Sequence, residues 1–273
     1  MLLEGDTTLL PDAVALARLH AAEVPQKDEL CGAFSTLLAL RAAGVDVADQ
    51  DAVADAAGTV LAPAEADHAA SLPVGETGRR DYRLALPTIE DEARSGTSAG
   101  GLVRAVGELS GGTHAAIGVT GPFTAETVEG LLGVVAAEEQ ASLVLNVGTR
   151  FFWGSHPTAA ELLGYLESGD DSAGPPPEWD VGHFVGCLGS IRGPRGRLVI
   201  ISDTYPSLGL RGVYLQPVGR VAAALRREGM TAGGVLVVVP AGRREVVEHA
   251  LRAAGLELGT WDNGSPDART DGL

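Results

Sequence analysis

The stretch Gln26-Lys27-Asp28-Glu29-Leu30-Cys31-Gly32 sets a glutamine five residues ahead of a cysteine that opens a strongly helical run. Thiol chemistry needs a thiolate, and the free N–H groups at a helix N-terminus stabilise S⁻. The same N–H groups can hold a developing oxyanion, and the Gln26 amide can add a second donor. A thiol nucleophile also needs a base, usually histidine, which in turn needs an orienting acceptor. Of the six histidines, His183 stands at the start of an apolar strand, Val181-Gly182-His183-Phe184-Val185. Alternation puts His183, Val185 and Cys187 on one face. The next strand, Leu198-Val199-Ile200-Ile201-Ser202, runs into Asp203, so a hairpin can bring that carboxylate to His183. The site reads as Cys31, His183, Asp203 and Gln26, drawn from three separate segments.

The remaining candidates are weaker. Cys187 lies about 13 Å along the strand from His183, too far to act with it, and reads as structural. His20 and His249 fall on helices near the ends, and His68 sits in a loose acidic stretch. His114 begins a strand after Gly111-Gly112, and His156 precedes a proline. The loop over 169–180, with three consecutive prolines, leads directly into His183. It is expected to border the cleft, with Trp179 and Gly182 as substrate contacts. Gly96-Thr97-Ser98-Ala99-Gly100 is a literal G-x-S-x-G, but a serine elbow requires a buried strand just before it. The residues there, Glu90 to Ser95, are polar and helical in pattern. No phosphate-cradling glycine motif and no metal-ligand spacing stands out, so neither a cofactor nor a metal is expected.

The elements that must position these residues follow from periodicity. Helices are expected over 9–22, from Asp28 to a stop at Gly44, and over 49–57, 87–94 and 100–109. Asp28 reads as the N-cap of the cysteine helix, which is apolar nearly all round and should be central and buried. A strand at 115–119, a helix over 124–139 and a strand at 143–147 follow. Thr158-Ala159-Ala160-Glu161 is a capping box that starts a helix. Strand-like runs at 183–189, 198–202 and 210–217 are joined by Gly/Pro turns, with a hairpin connection at 192–196. A helix over 217–227, a strand at 235–239 and a helix over 243–254 complete the pattern, and the chain from Trp261 reads as loose. Helices come first and antiparallel strands later, which is α+β.

Composition narrows the function. The chain has 273 residues, 45% hydrophobic and only 4% aromatic, enough for a full core built mainly from Leu, Val and Ala. A formal charge of −16 argues against nucleic acid, whose phosphates need a basic face. Lys27 is the only lysine. No apolar run reaches the ~18 residues of a membrane span. Met1-Leu2-Leu3-Glu4-Gly5-Asp6 lacks the basic segment of a signal peptide. Two cysteines fit a reducing compartment, so the expected location is the cytoplasm. Nothing in the sequence indicates the oligomeric state.

Gln26-x₄-Cys31-Gly32, then Gly182-His183-Phe184-Val185, then a strand ending in Asp203, resembles the cysteine peptidases that process bacteriocin precursors behind a double-glycine leader. These belong to the papain-like superfamily. Gly96-Thr97-Ser98 followed by Gly101-Leu102-Val103-Arg104 is similar to that family's middle helix. The resemblance implies a papain-like fold, with a buried N-terminal helix carrying the cysteine packed on an antiparallel sheet carrying the histidine and aspartate. It implies one domain over 25–256, flanked by an N-terminal helical extension over 1–24 and a polar tail over 257–273. It also implies Cys31 as nucleophile, His183 as base, Asp203 as its orienter and Gln26 as oxyanion donor. Two positions depart from the family: Leu30 stands where an acidic residue is usual, and Asp203 is followed by Thr204-Tyr205 before Pro206. Many members are joined to a membrane transporter, so a double-glycine leader is not carried over as the substrate. The implied activity is a cysteine peptidase acting on a peptide or amide bond. The alternatives are an amide-forming acyltransferase using the same residues, or an inactive peptide-binding domain of the same fold.

Overall fold

Period-two alternation of apolar side chains builds one antiparallel sheet and gives it two apolar faces. In the computed structural model, which describes residues 6–66 and 71–271, the strands are β1 (Asp6–Leu9), β2 (His114–Gly121), β3 (Ser142–Gly148), β4 (Gly182–Arg192), β5 (Arg197–Ser202), β6 (Val213–Pro217), β7 (Gly234–Pro240) and β8 (Glu257–Leu258). Their order across the sheet is β6-β5-β4-β3-β7-β2-β8, and β1 pairs with the far half of β4. The helices are α1 (Ala13–Glu23), α2 (Cys31–Ala42), α3 (Gln50–Ala57), α4 (Ala99–Leu109), α5 (Ala125–Ala136), α6 (Ala159–Ser168), α7 (Val218–Arg226) and α8 (Arg244–Ala253). Fold class α+β is therefore observed.

Ala116, Val144, Phe184, Leu236 and Val238 point from four strands into one core, where they meet α2, α3 and α4. Their neighbours Ile117, Leu143, Val185, Val235 and Val237 point into the other, where they meet α5, α7 and α8. Helix α2 has only intermediate or buried positions, which matches its all-round apolar sequence. Among the described residues, no helix is long and apolar enough to cross a membrane.

Four local expectations are corrected. Helix α2 begins at Cys31 rather than Asp28, and its N-cap is Leu30 with no side-chain cap. The chain reverses at Glu29, which has φ +58°, and Asp28 instead accepts from the Arg79 N–H at 2.9 Å. No α-helix forms over 87–94. Leu61 N–H donates to the Pro87 carbonyl and Ile89 N–H to the Leu61 carbonyl, so the backbone there is engaged in a bridge, and only a 3₁₀ turn remains at Glu92–Arg94. The chain from Trp261 is not loose: Trp261 is buried and its Nε1 donates to Asn146 Oδ1 at 3.0 Å. Asp267 pairs with Arg104, and the stretch read as a tail from 257 starts with β8, paired to β2. At the other end, α1 is packed into the body, with Ala13 and Leu16 against Phe34, Leu38 and Leu188.

The loop that leads into α2 is fastened by the chain's single lysine. Lys27 Nζ donates to Asp51 Oδ1 at 2.7 Å and to the Asp81 carbonyl at 2.8 Å, while Lys27 N–H donates to Gln50 Oε1 at 2.9 Å. Both charged side chains are buried. Removing one member of such a pair strands the other charge, whereas replacing both by apolar groups is far better tolerated. Lys27→Met is therefore expected to lower stability by about 3–5 kcal/mol, and Lys27→Met with Asp51→Leu to recover much of that loss. Urea denaturation of the three proteins, with equal m-values as the control for two-state unfolding, checks this.

Candidate active site

Cys31 is the first residue of α2, and three contacts set its approach. Gln26 N–H donates to the Thr204 carbonyl at 3.1 Å, Lys27 holds α3, and Asp28 N–H donates to the Arg79 carbonyl while Arg79 N–H donates to Asp28 Oδ1. The residue after the cysteine must be small. A Cβ on Gly32 would stand 3.1 Å from Leu102, 3.2 Å from Phe184 and 3.3 Å from Thr97. The bare α-carbon lets the first turn of α2 lie directly on α4 and β4.

His183 is the second residue of β4, paired with Val147 of β3. Its Nε2 lies 3.0 Å from Asp203 Oδ1. Its side chain shares the cleft lining with Cys31, and because Nε2 is held by Asp203, Nδ1 is the nitrogen left to face the sulfur. Asp203 follows β5 and has no exposed surface. Its Oδ1 accepts from Thr204 N–H and its Oδ2 from the Tyr214 hydroxyl, each at 2.7 Å. Its carbonyl accepts from His20 Nε2. Burial pushes the Asp203 pKa up. The His183 charge and the hydrogen bonds from His183, Tyr214 and Thr204 outweigh it and hold the carboxyl below its usual range. For His183, burial pushes the pKa down, yet the charges and hydrogen bonds of Asp203 and Cys31 raise it to about 10. The buried pair is thus carboxylate and imidazolium at neutral pH. His20 is held below its usual value, chiefly by burial, and serves as a neutral donor.

Gln26 is joined to the same network. Thr204 Oγ1 donates to Gln26 Oε1 at 2.6 Å and lies 3.2 Å from His183 Nε2. Gln26 Nε2 donates to the Lys27 carbonyl at 3.2 Å, which leaves its second amide hydrogen for another acceptor. Tyr205 stacks on the His183 ring at 18°, and Trp179 meets it edge-on at 4.7 Å. Trp179 Nε1 is tied to the Ser71 carbonyl at 3.0 Å. A cleft of about 500 Å³ is lined by Gln26, Cys31, Trp179, Gly182, His183 and Tyr205, among others. The structure therefore brings together every site residue read from the sequence: five line the cleft, and Asp203 stands behind His183.

A Cβ on Gly182 would meet Arg227 Nη2 at 2.4 Å, which explains the glycine before His183. Arg227 is buried. It donates to Asn146 Oδ1 at 2.8 Å, to the Ala232 carbonyl at 3.2 Å and to Thr231 Oγ1 at 3.1 Å. These acceptors are neutral. Burial lowers the Arg227 pKa, opposed by the influence of Cys31. Asn146 Nδ2 in turn donates to the His183 carbonyl at 3.3 Å.

Sequence reasoning missed Thr204, Tyr205, Tyr214, His20 and Arg227. Tyr214 alone left a usable signal, since it faces Ile201 across the β5–β6 register, two residues from Asp203. The rejected candidates have ordinary roles. Ser98 Oγ accepts from Gly101 N–H at 3.0 Å as the N-cap of α4. Cys187 is wholly buried, and burial pushes its thiol up to about 12. His156 and His114 make local contacts to Ser155 and Gln140, and His68 lies outside the described residues. Among the described residues, no group of three or more His, Cys, Asp or Glu is placed to hold a metal.

The chain belongs to the DUF6885 family, a family of unknown function, which it matches over residues 10–262. A comparison with curated proteins finds no match.

The buried pair predicts a pH dependence of stability. Asp203 has a depressed pKa, so its contribution is present above its unfolded value near 3.8 and is lost on acidification. His183 has a raised pKa, so its contribution is complete below its unfolded value near 6.5 and fades as pH climbs towards about 10. The stability difference between the natural protein and Asp203→Asn should therefore be widest between about pH 4 and 6.5 and should narrow towards pH 10. Thermal melts across that range measure it. A difference that widens with alkalinity would show that the pair is not ionised as described.

Proposed function

We propose that the chain is a cysteine peptidase or closely related thiol acyl-transfer enzyme of papain-like design. The observation that carries this reading is the Cys31–His183–Asp203 relay. A thiol at the N-terminus of a buried helix lines the same cleft as an imidazole, and that imidazole's Nε2 is held 3.0 Å from a buried carboxylate. In this reading the Cys31 sulfur, paired with the imidazolium, attacks the carbonyl of a peptide or amide bond. The tetrahedral oxyanion is held by the Cys31 backbone N–H and the free hydrogen of the Gln26 amide, a single such donor being worth ~3 kcal/mol in the barrier. The C–N bond breaks, His183 gives its proton to the leaving amine, and the acyl group stays on sulfur as a thioester. Water or an amine then displaces it, with His183 taking the incoming proton. Asp203 stays ionised and fixes the ring orientation.

An activated thiol is measurable without knowing the substrate. Alkylation of Cys31 by iodoacetamide near neutral pH, followed by intact mass and peptide mapping, should slow by about tenfold or more in His183→Ala. The comparison is made at one cysteine, and removing the imidazole opens the cleft, so slower labelling reports lost activation and not lost access. Cys187 should stay unlabelled in the folded protein. Equal Cys31 rates with and without His183 would remove the nucleophile from the reading. Once a substrate is found, product analysis with an added amine separates hydrolysis from transfer.

A further inference from the structure

The cleft has a wall that the chemistry at Cys31 does not itself require. Asp28, Glu29 and Glu92 all line it, and among the described residues no lysine or arginine does. Asp28 is 3% exposed, and its Oδ2 has no hydrogen-bond partner. The nearest cation, Arg80 Nε, stands 3.9 Å away, and the rest of that guanidinium is engaged by the carbonyls of Ala64 and Pro63. Glu29 sits in the left-handed region at φ +58°, a conformation uncommon outside glycine, asparagine and aspartate. Its carboxylate reaches Tyr82 at 3.2 Å and the cleft. The Trp179 and Tyr205 rings complete the surroundings. Carboxylates in a cleft that also holds aromatic side chains are the chemistry that recognises an ammonium or guanidinium.

The placement is otherwise counterproductive. Negative side chains two and three residues from the nucleophile oppose both a thiolate and an oxyanion. A cation delivered by the substrate removes that opposition at the moment it binds. We infer that the substrate of this site carries a positive charge close to the bond attacked, recognised by Asp28 and Glu29. The inference rests on the reading of Cys31 as nucleophile and adds the substrate class to it. The charge has two chemical sources, a basic side chain or a free α-amine beside the scissile bond.

Two methanethiosulfonates of opposite charge test the wall on the full chain. In both, the Cys31 sulfur attacks the sulfenyl sulfur, a disulfide forms and methanesulfinate departs. One reagent carries a trimethylammonium group and the other a sulfonate. Their rate ratio at Cys31, divided by the ratio for a neutral small thiol, should favour the cation by about tenfold or more at low salt. It should fall as salt is added and approach one in Glu29→Gln and in Asp28→Asn. A normalised ratio near or below one at low salt overturns the inference. The reading of Cys31 as nucleophile fails separately, if labelling by both reagents is indifferent to His183→Ala. Protection of Cys31 then identifies the source of the charge. Acetyl-arginine amide is compared with acetyl-citrulline amide, and alanine amide with acetyl-alanine amide. Stronger protection by the charged member of either pair supports the inference and names its source, and no difference in both pairs overturns it.

Discussion

Asp203 is a carboxylate with no contact with water, and much of the site follows from what that requires. Burying an ionised group carries a penalty of several kcal/mol unless it is paired and its lone pairs are filled. The fillers come from different strands. His183 arrives from β4 and Tyr214 from β6, while Thr204 N–H comes from the turn after β5. Three adjacent strands must therefore be in register for the charge to be tolerated. The same requirement fixes the orientation of the imidazole. Once Nε2 is committed to Asp203, only Nδ1 is left for Cys31, and the Tyr205 and Trp179 rings packed against the imidazole oppose its rotation. His20 completes the shell by holding the Asp203 carbonyl, which joins α1 to the site although α1 contributes nothing to the cleft.

The thiol is positioned by a separate device. The first turn of α2 packs on β4 through Gly32, and the loop before it is secured separately. The buried Lys27–Asp51 pair fastens it to α3, and Gln26 N–H fastens it to the Thr204 carbonyl next to Asp203. Gln26 is thereby held from both ends, its backbone by Thr204 and its Oε1 by the Thr204 hydroxyl. The His183–Asp203 pair and Gln26, the proposed oxyanion donor, thus share one threonine. Preorganisation of this kind is what makes a hydrogen-bond donor effective at a transition state, because no reorganisation remains to be done when charge develops.

How much of this was legible in the sequence depended on the range of the interaction. Short apolar runs at Leu143–Val147, Phe184–Cys187 and Val235–Val239 were plain strand signals, and the capping box at Thr158, which is observed, was equally plain. Cys31, His183 and Asp203 were legible because each sits at an element's end, where side chains from distant segments can converge. Expectations failed where tertiary contacts overrode local signals. Asp28 has the chemistry of an N-cap but gives its carboxylate to Arg79, and the polar run over 87–94 is drawn into a bridge with Leu61. The polar residues near the C-terminus looked loose because their partners, Asn146 and Arg104, are more than a hundred residues away. Thr204 and His20 left no signal, since both act through groups that every sequence contains, a hydroxyl and a backbone carbonyl.

The charges around Cys31 form an incomplete balance. On the sheet side stand two buried cations: His183, neutralised by Asp203, and Arg227, whose hydrogen bonds all go to neutral acceptors. Arg227 is held in place by the same Asn146 that supports the His183 backbone and anchors Trp261. It is therefore held in a fixed position beneath Gly182. On the loop side stand the carboxylates of Asp28 and Glu29. Electrostatic interactions strengthen as water leaves, so both influences grow when a substrate fills the cleft. A neutral substrate would magnify the opposing pair as much as the supporting one. In the proposed reading, a cationic one cancels the carboxylates and leaves the imidazolium to face the developing negative charge. Selection of substrate and activation of the thiol would then be the same electrostatic event.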